Sequence, residues 1–451
     1  MLLFVWIGVC ALGAVLLRRH LTISIACVLA LWFLIPTVGS YLLTGQKLGP
    51  LAFHCATWLI LAIAITQLVW APEALGKSVF RHRFLFLLLA LVLSVAFLTT
   101  RTVQSGGGMV LFVDQMVAPA LLFLLILAAG TIDAKLVPRL RNALMLLFCI
   151  VVIVAVFQWS TGSVLFYEAG FKTQFWFNPE TKRWMGTFDQ PLALSLVACA
   201  LTPMVAGIRR LYIAIPLLAL LVTAVLISQS RVGTGVVIAS ILYAVLFSRH
   251  KGSVKVAVVA AMGIGTYFLL MTPLVAGVLA RVADDTGSAE ARNQAYGVFF
   301  RDWSKYLFTG EGLTASYGVA DFAGLQTSFE SSIIMYAVDI GIVFAVLYFG
   351  ALLVVVLQSA GRHSVPGLTL AGLLVVLIPQ TYSGVATRSV AGIVIWTIVA
   401  MAAAAAQTAA DAGSAQRPTA AAGPGRTAVL VPAARRSVPP NRQKSSNWTG
   451  R

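Results

Sequence analysis

A chain of 451 residues that is 59% hydrophobic and only 10% charged falls outside the soluble globular class, in which about 25% of residues are charged. Its apolar residues gather in runs long enough to approach or span a hydrocarbon core about 30 Å thick. The net charge is +17, but the cations are scattered over many short loops, which excludes a dedicated nucleic-acid surface and points to anionic lipid headgroups.

Thirteen apolar segments follow in chain order: 2–17, 21–43, 51–70, 84–99, 109–130, 143–158, 191–207, 211–228, 232–248, 254–272, 332–358, 366–383 and 389–406. They predict an all-α polytopic membrane protein, a bundle of about 12–13 transmembrane helices over 1–406, with the last two segments either spans or a re-entrant pair. Cys10, Cys27, Cys55, Cys149 and Cys199 all fall inside apolar runs and read as small packing residues. The first run starts without a basic leader or a small-residue cleavage site, so no cleavable signal peptide is expected.

Orientation follows from Lys and Arg in the short loops. One set of loops holds Arg18, Arg19, Lys77, Arg81, Arg83, Lys135, Arg139, Arg141, Arg209, Arg210, Arg249, Lys251, Lys255 and Arg362; the alternate set holds Lys47, Arg101, Arg231 and Arg388. Fourteen against four makes the first set cytoplasmic. Of the acidic residues, only Glu73, Asp133 and Asp411 join that side. Two long loops, about 159–190 and 273–331, then face outward. The longest inner loop, 71–83, is too short for a nucleotide-binding domain and no phosphate-binding G-x-x-x-x-G-K-[ST] is present. The tail 407–451 is rich in Ala, Pro, Gly and Arg, which predicts a disordered, basic, cytoplasmic segment.

The second long loop carries Ala295/Tyr296, Phe299/Phe300, Trp303 and Tyr306/Leu307 at helical spacing, an amphipathic helix with Ser288 as its expected cap. Arg292 lies at the edge of its apolar face, Arg301 and Lys305 on its polar face. Arg231 sits in a tight outer hairpin, Ser228-Gln229-Ser230-Arg231, and asks for an anionic partner: lipid, carboxylate or phosphate. The first long loop ends Arg183-Trp184-Met185-Gly186-Thr187-Phe188-Asp189-Gln190-Pro191 at a helix entrance, which suits a polar ligand or an interfacial anchor. Glu330 precedes the eleventh segment, Asp339 lies deeper in it, and Asp114 lies inside the fifth. Such ionisable groups are costly in a membrane and are candidates for function or for helix–helix hydrogen bonds. His54 reads as an interior hydrogen-bonding residue. No His/Cys/carboxylate cluster has metal-ligand spacing.

Three of these features resemble the O-antigen ligase and polymerase superfamily of membrane glycosyltransferases: the Arg183…Gly186-Thr187-Phe188…Pro191 run, the Ser230-Arg231 hairpin, and the long loop with Arg292-Asn293-Gln294-Ala295-Tyr296, Tyr306-Leu307-Phe308-Thr309-Gly310-Glu311-Gly312 and Ser328-Phe329-Glu330 before Gly341. The ligase/polymerase-like region spans about 183–341. The family's ligases carry a histidine near the end of the long loop, where this chain reads Phe329-Glu330-Ser331, so the resemblance implies a polymerase or a divergent transferase. The Pro-Asn that usually follows the first motif is replaced by Pro191-Leu192.

The resemblance implies glycosyl transfer on the outer face of a bacterial cytoplasmic membrane for surface polysaccharide assembly. The donor would be a lipid-linked oligosaccharide on polyprenyl pyrophosphate, the acceptor a glycan or glycolipid, with no metal and no cofactor. Arg231 and Arg292, with Arg183 behind them, would hold the pyrophosphate bidentately. Glu330, or else Asp114, would orient or deprotonate the acceptor hydroxyl. The alternative is a transporter or flippase of the same lipid-linked glycan, for which Asp339 at depth is the supporting feature.

Overall fold

The computed structural model describes residues 1–102, 107–174, 177, 179–181, 183–248, 250–270, 275, 279, 286–325, 328–361 and 365–415. Among them all regular structure is helical, and Met1–Asp411 form one compact unit. The apolar runs become α1 (Leu2–Leu16), α2 (Leu21–Leu34) and α3 (Cys55–Trp70). A tight corner at Ala71, with Pro72 at the first helical position, starts α4 (Pro72–Arg81), which turns by 102° from α3. The sequence predicts only a loop here. The segment instead is a helix that buries Leu75 and Ser78 against the bundle and leaves Val79 and Phe80 outward.

The long helices come next: α5 (Arg83–Thr102), α6 (Gly108–Ile132) and α7 (Leu136–Thr161). After the first long loop follow α8 (Pro191–Gly207), α9 (Leu211–Ser228), α10 (Arg231–Leu246) and α11 (Gly252–Leu270). Among the described residues five helices are long and apolar enough to cross a membrane: α5, α6, α7, α9 and α17 (Val390–Ala415). The number rises to seven if each of two bent pairs, around Ile35 and around Ala71, is one span. In its most apolar 18 residues α5 buries 22% and so borders the surrounding medium, whereas α6 and α17 bury 72% and 94% of theirs. The last two therefore form the axis of the bundle. Gly130 lets them close up, since a Cβ there would stand 3.0 Å from that of Ala404.

The second long loop contains α12 (Thr286–Asp302), continued by a 3-10 turn at Trp303–Tyr306, and then α13 (Ala315–Phe322). The expected amphipathic helix is present, though it begins two residues before Ser288. Ala295, Phe299 and Tyr306 are buried, and Phe300 and Trp303 face outward. Arg301 and Lys305 pair with Asp302 at the surface. The segment predicted as one helix over 332–358 is broken into α14 (Ser332–Ile340) and α15 (Ile342–Gln358) by Gly341 at φ +104. The chain after Tyr306 docks into this break: Glu311 and Gly312 N–H donate to the carbonyls of Val338 and Asp339, and Val343 N–H donates to Leu307. Those bonds satisfy backbone groups that a broken helix would otherwise leave bare.

The chain closes with α16 (Leu368–Leu377) and α17. α17 runs on to Ala415, so the beginning of the tail predicted as disordered is helical. Its Ala-rich stretch has the highest helix propensity, and the first tail proline comes only at Pro418. Residues 416–451, with the rest of that predicted tail, lie outside the described residues.

Candidate functional site

Both long loops converge on one cavity of about 700 Å³, lined among others by Thr37, Lys47, Asp189, Gln190, Tyr317 and Arg388. Asp189 and Gln190 come from the first loop and Tyr317 from the second. Arg388 comes from the turn that precedes the central helix α17.

Asp114 supports this cavity from beneath. It lies in a π-helical turn, Val113–Val117, inside α6, a local widening often found at functional positions. Its fully buried carboxylate accepts from Arg388 Nε at 2.9 Å, from Thr57 Oγ1 at 2.7 Å and from the His54 N–H at 3.0 Å, and lies 2.8 Å from Arg388 Nη2 as an ion pair. Arg388 Nη2 also donates to the Ala52 carbonyl. The next residue of the π turn, Gln115, donates to the Ser389 carbonyl. Two consecutive residues thus hold the 388–389 segment. Arg388 Nη1 has no partner among the described residues, and the side chain is 27% exposed. His54 is structural, as its sequence context suggests. Nδ1 accepts from Ala56 N–H, Nε2 donates to the Ile35 carbonyl, and the ring stacks on Trp32 at 3.7 Å.

The Gly186-Thr187-Phe188 run is a clamp whose product is the position of Asp189. Gln158 grips Gly186 with both ends of its amide, at 2.8 and 2.9 Å. Gly186 has φ +66, and a Cβ there would lie 2.5 Å from the Val151 carbonyl oxygen, so only glycine fits. Thr187 donates to the Phe33 carbonyl, and Phe188 packs edge-on against Phe33. Asp189 Oδ1 then accepts from both the N–H and the hydroxyl of Thr37, at 2.6 and 2.7 Å. Burial pushes the Asp189 carboxyl up to about 6, although the Thr37 bonds and the positive charge of Arg388 act in the opposite direction.

The residues singled out in the sequence occupy three places. Asp114 is under the cavity. Arg183 donates to the Ser228 carbonyl at 3.1 Å while Trp184 N–H donates to Ile227, which puts Arg183 against the turn that leads into Arg231, the first residue of α10 behind its Ser230 cap. Arg292 and Glu330 form an ion pair at 3.0 Å. Arg183, Arg231, Arg292 and Glu330 are absent from the lining of the cavity. Asp339 is spent on structure, since its carboxylate accepts the N–H groups of Thr314 and Ser316 and so caps α13. Sequence reasoning passed over Arg388, Lys47 and Asp189 as site residues. Arg388 carried the same signal as Arg231, a lone cation against the charge trend of its loops, and Asp189 stood within a motif already noted.

The sequence matches no model of a known protein family and no curated protein at a significant level. The functional reading therefore rests on the residues and their geometry.

Proposed function

We propose that this protein is a multi-pass bacterial cytoplasmic-membrane glycosyltransferase of about 12–13 spans. It would move a glycan from polyprenyl pyrophosphate to a sugar hydroxyl on the outer face, as a polymerase or divergent ligase. The observation that carries this reading is the convergence of both long loops on one cavity that presents Lys47, Arg388 and a carboxylate of raised pKa. A donor already energised by its pyrophosphate needs no nucleotide site.

In the reaction, the acceptor oxygen attacks the anomeric carbon. The bond from that carbon to the pyrophosphate oxygen breaks, polyprenyl pyrophosphate leaves, and the acceptor proton passes to a base. Arg388 and Lys47 stabilise the charge that grows on the leaving group. Asp189 is a better base than the two carboxylates favoured from sequence, because Glu330 is tied to Arg292 and Asp114 is enclosed by Arg388, Thr57 and His54. Arg183 and Arg231, which share one corner, remain proposed contacts to the donor further from the cavity. Asp339, the feature that spoke for a transporter, accepts the N–H groups of Thr314 and Ser316 and caps α13.

The deciding experiment supplies purified protein with lipid-linked donor and acceptor. Extended or ligated glycan together with free polyprenyl pyrophosphate is expected. Movement of intact donor across a vesicle bilayer, with no new linkage, would refute the enzyme.

The proposed orientation has its own check. Gln294 and Lys135 are both exposed and belong to opposite sets of loops. In intact cells, Gln294→Cys should react with an impermeant thiol reagent and Lys135→Cys should not. The reverse pattern would overturn the outward assignment of the cavity.

A further inference from the structure

A second cavity, of about 490 Å³, is lined by Pro138, Arg141, Gly207, Arg209, His250 and Pro366, among others. It gathers the N-terminal part of α7, the end of α8 and the approach to α16, at the bundle end that carries the more numerous set of loop cations. The 26 residues of α7 extend about 39 Å, which separates this end from the first long loop. A shallow apolar groove of about 30 Å³, open to the surface, adjoins it and shares Ile208 and His250; its walls include Leu211, Leu218, Val245 and Val258, and Lys255 stands at its edge, so a chain could lie along it but not inside it.

Among the described residues the cations here have no acidic counterpart. Arg141 spends Nε and Nη2 on the neutral Asn142 Oδ1. Its Nη1 rests against Gly207, where an added Cβ would lie 2.7 Å away. Lys255 donates to the Leu246 carbonyl. Among the described residues no Asp or Glu lines the cavity or the groove, and neither Arg141 nor Arg209 has an ion-pair partner. Like charges gathered at one opening repel each other unless an anion sits between them.

We propose that this end of the bundle binds an anionic diacyl phospholipid, its phosphate between Arg141, Arg209 and His250 and an acyl chain along the groove bounded by α9, α10 and α11. Both halves of the ligand are called for: a phosphate by the cations and an acyl chain by the contiguous apolar walls. The lack of any lining carboxylate selects a net-negative headgroup such as phosphatidylglycerol over phosphatidylethanolamine, whose ammonium would find no partner. The inference is independent of the glycosyl-transfer reading.

The test incubates the purified full-length protein with mixed micelles of phosphatidylglycerol and phosphatidylethanolamine and measures retained lipid by native mass spectrometry. Preferential retention of phosphatidylglycerol is expected. Arg141→Gln with Arg209→Gln should weaken it about 30-fold, at roughly fivefold for each cation. Should that pair fail to fold, Arg209→Gln alone, at an exposed position, should still show the roughly fivefold loss. Arg19→Gln with Lys135→Gln removes two exposed cations from the same set of loops outside the cavity and should leave retention unchanged. Equal retention of both lipids by the wild type, or an equal loss in the Arg19/Lys135 control, would overturn the site. So would displacement of the lipid by glycerol phosphate at matched concentration, because the groove would then contribute nothing.

Discussion

Arg388→Ala is expected to unfold this protein more readily than any other single replacement in the cavity. The substitution strips a fully buried Asp114 of its guanidinium hydrogen bond and its counter-charge and leaves Thr57 and the His54 N–H as its donors. Removing one partner of a buried ion pair costs about 3–5 kcal/mol, because the surviving charge stays in a medium of low dielectric constant. The 27% exposure of Arg388 puts the expected loss near the lower end of that range. Asp114→Asn combined with Arg388→Gln removes both charges together and should recover most of the thermal stability in detergent. Transfer should not recover with it. The double variant lacks the cation that meets the leaving pyrophosphate, a loss of about 2–4 kcal/mol of transition-state stabilisation, or roughly 30- to 1000-fold in rate. A stable double variant that transfers glycan at the wild-type rate would make Arg388 a strut for Asp114 and nothing more.

The helices were legible in the sequence because hydrophobic runs and helix length obey the same constraint, and each of the thirteen apolar segments contains helix in the structure. The breaks were less legible. Gly341 looks like any glycine in an apolar run until the chain after Tyr306 is seen to dock against it through Glu311 and Gly312. That contact joins segments about thirty residues apart and leaves no periodic trace. The site follows the same rule. Asp114 stood out because a carboxylate in an apolar run is costly wherever its partner lies. The partner, Arg388, is 274 residues away and could be paired with it only in three dimensions. Asp189 was visible as part of a motif, but its value as a base comes from burial beside Thr37, 152 residues distant. Glu330 and Arg292 stand out in the sequence as separate candidates, and the structure pairs them with each other.

Asp189 yields the prediction that bears most directly on chemistry. A base must be ionised to accept the acceptor proton, so with a carboxyl pushed up to about 6 the transfer rate should rise as pH rises through 6 and then level off. Asp189→Asn should lower kcat/KM by about 10²- to 10⁴-fold and abolish that rise. The doubly esterified pyrophosphate of the donor has no ionisation close to that of Asp189, and the released polyprenyl pyrophosphate titrates alike with both proteins, so the difference between the two profiles isolates Asp189. Stability should move the other way. The folded state holds this proton more tightly than the unfolded chain, whose carboxyl titrates near the ordinary Asp value of about 3.9. The contribution of Asp189 to stability is therefore fully present below that value and is lost as pH rises through about 6. Thermal unfolding of wild type and Asp189→Asn across pH 4–8 should show the wild type losing stability relative to the variant over that window. A merely structural Asp189 could reproduce the stability trend. It could not also place the pH-dependent rise in rate in the wild type alone, and an Asp189→Asn profile that keeps both the rise and the rate would remove this residue from the mechanism.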